Sequence, residues 1–128
     1  MPSEDRVRVM MFFYRKKGMS FDDFDLYWRE SHSKVACDLP IFRRNILKYE
    51  QIHVDTKFRE SLRDGGMPVS DYDGIVLLEA ASVEKIKEVF VDQEYLDKLK
   101  PDEEKFCERT TFQMFPVKTV TILDQTSS

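Results

Sequence analysis

The chain has 128 residues and a mass of 15.2 kDa, the size of one domain spanning 1–128. Twenty Lys+Arg against 24 Asp+Glu leave a formal charge of −4, interspersed rather than gathered into a basic stripe, which excludes nucleic acid as an expected partner. The 41% hydrophobic content with ten Phe excludes disorder. No apolar run approaches the roughly 20 residues of a membrane span, and Met1-Pro2-Ser3-Glu4-Asp5 lacks the basic start of a signal peptide. A cytoplasmic protein without a membrane partner is expected. Cys37 and Cys107 stand far apart in no paired motif and read as buried free thiols.

The first segment, Val7 to Tyr14, alternates as a strand, with Val7, Val9, Met11 and Phe13 on one face and Met10, Phe12 and Tyr14 on the other. Both faces are apolar towards its end, so both should be covered. Lys16-Lys17-Gly18 stops it. Ser20 then caps a helix, with Asp23 placed to favour the positive end of the dipole. Phe21, Phe24, Trp28, His32, Val35 and Leu39 fall on one stripe, and Pro40 ends the helix. A second strand follows from Ile46 to Val54, its odd face carrying Leu47, Tyr49, Gln51 and His53. Thr56 to Pro68 reads as a long loop with one helical turn around Phe58 to Leu62, either a lid or a plain insertion.

Asp73 to Glu79 is a third strand, and Ser82 caps a helix with Val83, Ile86, Lys87 and Phe90 on its apolar face. Another helical stretch covers Glu94 to Leu99, and Pro101 opens a last turn through Phe106. Thr110 to Val117 is a fourth strand, placed at an edge or strand end by Pro116. Val120-Thr121-Ile122 reads as a short additional pairing. The order β-α-β-β-α-β is the split arrangement of an α+β, ferredoxin-like fold. Two helices cover one sheet face, and the apolar residues of the other call for a partner sheet, most simply from a second copy in a homodimer.

Phe21-Asp22-Asp23-Phe24-Asp25-Leu26-Tyr27-Trp28-Arg29-Glu30-Ser31-His32 resembles the first-helix pattern of the EthD domain family, a branch of the dimeric α+β barrel proteins. Phe24, Trp28, His32 and the segment Phe12 to Lys17 carry the likeness, and Lys48-Tyr49-Glu50-Gln51 matches an aromatic-bearing second strand. The resemblance implies a dimeric α+β barrel. It also implies kinship with small stand-alone proteins of fungal aromatic polyketide pathways, assigned to decarboxylation of anthrone- or atrochrysone-type carboxylic acids. Related barrels act as cyclases, dehydratases, lactone isomerases and cofactor-free monooxygenases, and fold alone does not choose among them. The Thr56–Pro68 loop and the tail beyond Val117 have no obvious counterpart in the shortest members.

His32 is the first candidate for chemistry, because its place in the apolar stripe turns it towards the sheet. Desolvation lowers the pKa of such an imidazole and a neighbouring carboxylate raises it. The alternative is a core histidine satisfied by a backbone carbonyl. His53 shares a strand face with Tyr49 and Gln51, as acid and base if that face lines a pocket, or as interface residues if not. Tyr14 offers a phenol to a substrate hydroxyl or packs as an amphipathic strand end. Asp73 pairs with a histidine or simply forms a turn. Phe12, Phe24 and Trp28 form flat apolar walls suited to a polycyclic aromatic ligand, or ordinary core.

The spacing of the two histidines gives no metal motif. No Gly-rich phosphate loop, Ser elbow or Cys-His signature occurs, so no cofactor is expected, with haem on a single axial His32 or His53 the exception. The expected function is a cofactor-independent lyase on a hydrophobic aromatic polyketide acid, decarboxylating it with His32 as general acid/base and Tyr49 and His53 assisting. The alternatives are a dehydratase or cyclase on a related polyketide, a cofactor-free anthrone monooxygenase, and a non-catalytic small-molecule binding protein.

Overall fold

The structure, a computed structural model, describes residues 6–127. Four antiparallel strands, β1 (Val7–Phe13), β2 (Ile46–His53), β3 (Gly74–Ala80) and β4 (Gln113–Val117), form one sheet in the order β2-β3-β1-β4. This is the ferredoxin-like α+β arrangement that the element order predicts. β4 lies at the edge, where Pro116 removes no bond that a neighbour needs. Among the described residues, no helix is long and apolar enough to cross a membrane.

One long helix follows β1, in three parts. α1 (Phe21–Tyr27) starts at Ser20, whose hydroxyl accepts the Asp23 amide at 3.1 Å. A π-turn over Trp28–His32 passes into α2 (Ser33–Asp38). Leu39 is extended, as the residue before a proline should be, but Pro40 opens a further helix, α3 (Pro40–Asn45), instead of ending helical structure. Its φ suits the first helical position, and that position was not foreseen. The predicted stripe is otherwise observed: Phe24, Trp28, His32 and Leu39 are buried, with Ala36 added beyond the π-turn.

The predicted loop contains a regular helix, α4 (Thr56–Asp64), because Asp55 caps it by accepting the Phe58 amide at 3.0 Å. After β3, Ser82 caps α5 (Val83–Val91) at Lys85. Its inward face is centred on Ile86, Val89 and Phe90 rather than on Val83, which is exposed. A second π-turn, Tyr95–Leu99, leads into α6 (Lys100–Glu103), and a 3₁₀ turn, Arg109–Thr111, precedes β4. Val120 to Ile122 pairs with nothing in the sheet and is exposed, so the expected extra pairing is absent. Cys107 is buried and free, while Cys37 is free but exposed, on the outer face of α2.

The core lies between the helices and one sheet face. Val9, Met11 and Phe13 pair with Leu78, Val76 and Gly74 on that face, and Tyr49, Gln51 and His53 extend it across β2. A register shift between Ile46 and Lys48 turns Leu47 out to solvent, so that residue leaves the face assigned to it. Aromatic rings cement the layer: Phe13 meets Trp28 edge-on at 5.2 Å, and Phe24 packs on both Trp28 and Phe106. Burying each such ring contributes roughly 1.5–3 kcal/mol. The other sheet face carries Met10, Phe12, Ile52, Ile75, Leu77 and Phe115, and among the described residues no helix lies over it. At one end of this face Glu79 is buried among Arg6, Arg8 and Lys48.

Candidate functional site

The π-turn builds the site. In an α-helix residues five apart lie about 140° from each other around the axis, so Tyr27 and His32 would diverge. The wider turn lets both reach one carboxylate: the Tyr27 hydroxyl donates to Asp102 Oδ1 at 2.6 Å, and His32 Nδ1 meets Asp102 Oδ2 at 2.7 Å. The turn also leaves the Trp28 carbonyl to accept from Gln51 Nε2 at 2.9 Å. Single π-turns in helices occur often at functional sites.

The His32 and Asp102 side chains are 7% and 6% exposed, and the His32 ring packs on Phe106 at 4.7 Å. Burial pulls the imidazole pKa below its usual value, and the bond and charge of Asp102 do not fully offset this. Burial acts on Asp102 in the opposite sense, but hydrogen bonds from Tyr27 and His32 and the charge of His32 hold the carboxyl below its usual range. Near pH 7 the pair is therefore a carboxylate and a neutral ring with its proton on Nδ1. Nε2 then carries the lone pair and is the ring atom able to accept a proton.

A second carboxylate, Glu103, stands beside Asp102 in α6. It accepts from Arg109 Nε at 2.9 Å and from the Tyr95 hydroxyl at 3.2 Å. Burial pushes its pKa up to about 7, against the opposing pull of Arg109. Tyr95 belongs to the second π-turn, so each of the two carboxylates is met by a side chain from a π-turn.

His32 and Glu103 face two small cavities, of about 30 and about 20 Å³. Tyr49, Tyr95, Phe42 and Phe90 line the larger one. Trp28, Phe106, Cys107 and Phe112 line the smaller. Each is water-sized, whereas a drug-sized ligand occupies roughly 300 Å³ or more. Neither cavity, as it stands, has room for a drug-sized ligand.

The candidate residues read from the sequence thus separate into groups. His32, Tyr49 and Trp28 share the cavities, and Phe24 lies behind Trp28 in the core. His53 sits at the end of β2, with Nδ1 on Asp25 at 2.5 Å, Nε2 on Gln51 Oε1 at 2.8 Å and its ring 4.3 Å from that of Trp28. It lines neither cavity, because Trp28 stands between. Tyr14 stacks on Tyr72 at 4.7 Å and, with Asp73, borders a separate surface cleft beside Lys16 and Arg59. Asp73 meets no histidine. Both its oxygens are taken by Arg15, through the backbone amide and Nη1, each at 2.8 Å. Phe12 lies on the open sheet face against Phe115. No residue of the Thr56–Pro68 segment borders the cavities, so α4 is not a lid over them; Arg59 and Arg63 tie it to residues 70–72.

Tyr27, Tyr95, Asp102, Glu103 and Arg109 were missed. After Pro101, the run Asp102-Glu103-Glu104 reads as an acidic first turn of a helix, and nothing local separates the two buried carboxylates from exposed Glu104. Among the described residues, no group of three or more His, Cys, Asp or Glu is placed to hold a metal ion.

The same architecture occurs in solved structures. A dimeric protein of unknown function with a ferredoxin-like fold from Bacteroides fragilis NCTC 9343 aligns with a TM-score of 0.61 at 12% identity, covering 90% of this chain and 97% of that one. An ethyl tert-butyl ether D (EthD) family protein from Bacillus halodurans C-125 aligns with a TM-score of 0.60 at 11% identity, over 90% and 99%. A DABB family protein with a ferredoxin-like fold from Mesorhizobium loti MAFF303099 gives 0.62 at 13% identity, over 91% and 98%. At these identities the likeness is one of fold. No curated protein matches the chain. The EthD domain model matches residues 16–110, from the end of β1 through the site carboxylates to Arg109, and the chain belongs to the EthD domain family.

Proposed function

We propose that this protein is a cofactor-independent lyase that decarboxylates an aromatic, polyketide-type carboxylic acid. The observation that carries the reading is the buried His32–Asp102 pair, with His32 facing a cavity that it shares with a second buried carboxyl group, Glu103. When a β-keto acid loses carbon dioxide, the carbon–carbon bond breaks and its electron pair passes into an enolate, which a proton then quenches at carbon. His32 passes that proton. A ring whose resting state is neutral becomes a strong donor once protonated, and Asp102 holds it in place. Tyr49, which burial keeps protonated with a pKa of about 12, donates a hydrogen bond to the enolate oxygen. Loss of water from a neighbouring carbon is the close alternative with the same groups.

The test is incubation with an anthrone-type acid in the presence of a chelator, followed by mass spectrometry. Loss of carbon dioxide above the uncatalysed rate, abolished in His32→Ala, is the expected result. Loss of water would make the protein a dehydratase, and an unchanged substrate that alters Trp28 fluorescence would make it a binder. The apolar, uncovered sheet face supports a homodimer closed sheet to sheet, and the Bacteroides neighbour of this fold is described as dimeric. Leu77→Lys, at the middle of that face, should convert a dimer to a monomer in analytical ultracentrifugation. A wild-type monomer at micromolar concentration would refute the dimer.

A further inference from the structure

Arg109 stands where the interior meets the surface. Its side chain is 28% exposed, while that of Glu103 is 7% exposed. The guanidinium bonds inward through Nε to Glu103 and through Nη2 to the Tyr95 hydroxyl, and it rests on the Phe112 ring at 5.4 Å. Phe112 and Glu103 both line the smaller cavity. A guest entering past Phe112, beside the edge strand, therefore passes the guanidinium on its way to His32. Nη1 takes no part in these bonds, and the planar fork of arginine suits a carboxylate.

We propose that Arg109 recognises the substrate's carboxylate, and that this carboxylate displaces Glu103, which takes up one proton from solvent as it is released. The proposal rests on the lyase reading and supplies its missing proton. Two buried carboxylates do not both stay ionised against one cation. Decarboxylation of a carboxylate anion consumes one proton: carbon dioxide leaves, the electron pair stays as enolate, and a proton bonds to carbon. Glu103 gives up that proton through the cavity that it shares with His32. Ionised again, it returns to Arg109 just as the substrate's own carboxylate has gone, and the uncharged product departs.

The groups facing Glu103 leave it as the one that changes charge near pH 7. Arg109 from the 3₁₀ turn stays cationic, and its pKa is raised. Tyr95 from the π-turn, Tyr49 from β2 and Cys107 after α6 are all pushed up by burial and stay protonated. Asp102 on the same helix stays ionised, and His32 across the cavity stays neutral.

The experiment is calorimetric titration of the wild-type protein with 2-naphthoate and with neutral 2-naphthamide, in buffers of different ionisation enthalpy, between pH 6 and pH 8. Naphthoate should bind with uptake of close to one proton at pH 8 and far less at pH 6, its affinity falling by up to about tenfold per pH unit above 7, the limit for one linked proton. Naphthamide should bind more weakly at pH 6, with no uptake. Glu103→Gln should remove the uptake while keeping acid binding, and Arg109→Gln should remove the preference for acid over amide. Absence of uptake in the wild type, equal binding of acid and amide, or no binding of either at millimolar concentration would overturn the proposal, and these outcomes need no variant to fold. Linked uptake without turnover would sink the lyase reading alone; turnover without uptake would sink the Arg109–Glu103 exchange alone.

Discussion

Two histidines of this chain each meet a carboxylate through Nδ1, at similar distances, and their surroundings make them different groups. His32 and Asp102 are almost sealed between helices and sheet, whereas the His53 and Asp25 side chains are 25% and 20% exposed at a strand end. In the sealed pair, Nδ1 is held and Nε2 is left over beside a cavity. In the outer pair, both ring nitrogens are already engaged, by Asp25 and by Gln51. The pairing motif is common to both, so it is burial and a free ring nitrogen that make one of them a candidate for proton transfer. The ring of the outer histidine lies against Trp28, which itself lines the smaller cavity.

The sharpest way to break this contrast is kinetic. His32→Ala should lower turnover by about 10²–10⁴-fold, the usual contribution of one general acid or base, while His53→Ala should leave it within a few fold. Equal losses in the two variants would erase the distinction. The next effect concerns the pH dependence of stability, followed by urea unfolding from pH 5 to pH 8. Glu103 has a folded pKa of about 7, above its ordinary value of 4.5, so the folded form binds the extra proton and stability falls as pH rises through that window. His32 acts in the opposite sense. Its pKa is lowered, so its contribution is complete above the ordinary histidine value of 6.5 and is lost as pH falls below it. Glu103→Gln should therefore become more stable relative to wild type by about 2–3 kcal/mol between pH 5 and pH 8. A difference that stays flat with pH would show that Glu103 is not the strained group.

Tyr27→Phe removes a charge-assisted bond to Asp102 and should cost about 1.5–3 kcal/mol near neutral pH. Since the Asp102 pKa is depressed, that difference should shrink below the ordinary aspartate value of 3.8, as the carboxylate protonates. At the outer histidine, Gly74 pairs across the sheet with both Phe13 and His53. A methyl group at Gly74 would approach Phe13 to 2.7 Å and Trp28 to 2.9 Å. Gly74→Ala should cost about 1–3 kcal/mol by overpacking, read as a lower unfolding midpoint. The smallest effect should be that of Asp25→Asn, which weakens a partly exposed pair worth about 0–1 kcal/mol.

These residues also mark how far the sequence could be read. The order of strands and helices along the chain and the stripe carrying Trp28 and His32 were legible, because alternation and helical spacing are properties of short windows. The π-turn was not, since its single extra residue leaves a helical pattern almost intact on both sides. With it went the convergence of Tyr27 and His32 on Asp102. The acidic triplet after Pro101 looks like an ordinary helix start, and only its docking under Tyr95 and Arg109 singles out Glu103. Asp73 was visible as a turn residue, but its hold on Arg15 depends on a contact 58 residues away in the chain. Leu47 was assigned to the wrong face because a bulge leaves no mark in local composition.

The central claim is that His32, and not His53, is the proton-transfer group of the cavity. Nitrogen-15 NMR of the histidine side chains, with and without 2-naphthoate at pH 7, tests it most directly. The account predicts a neutral His32 protonated on Nδ1, with an Nε2 signal that moves when ligand binds, and His53 signals that stay in place. A doubly protonated His32 in the free protein, or a ligand that shifts His53 and leaves His32 unchanged, would contradict it.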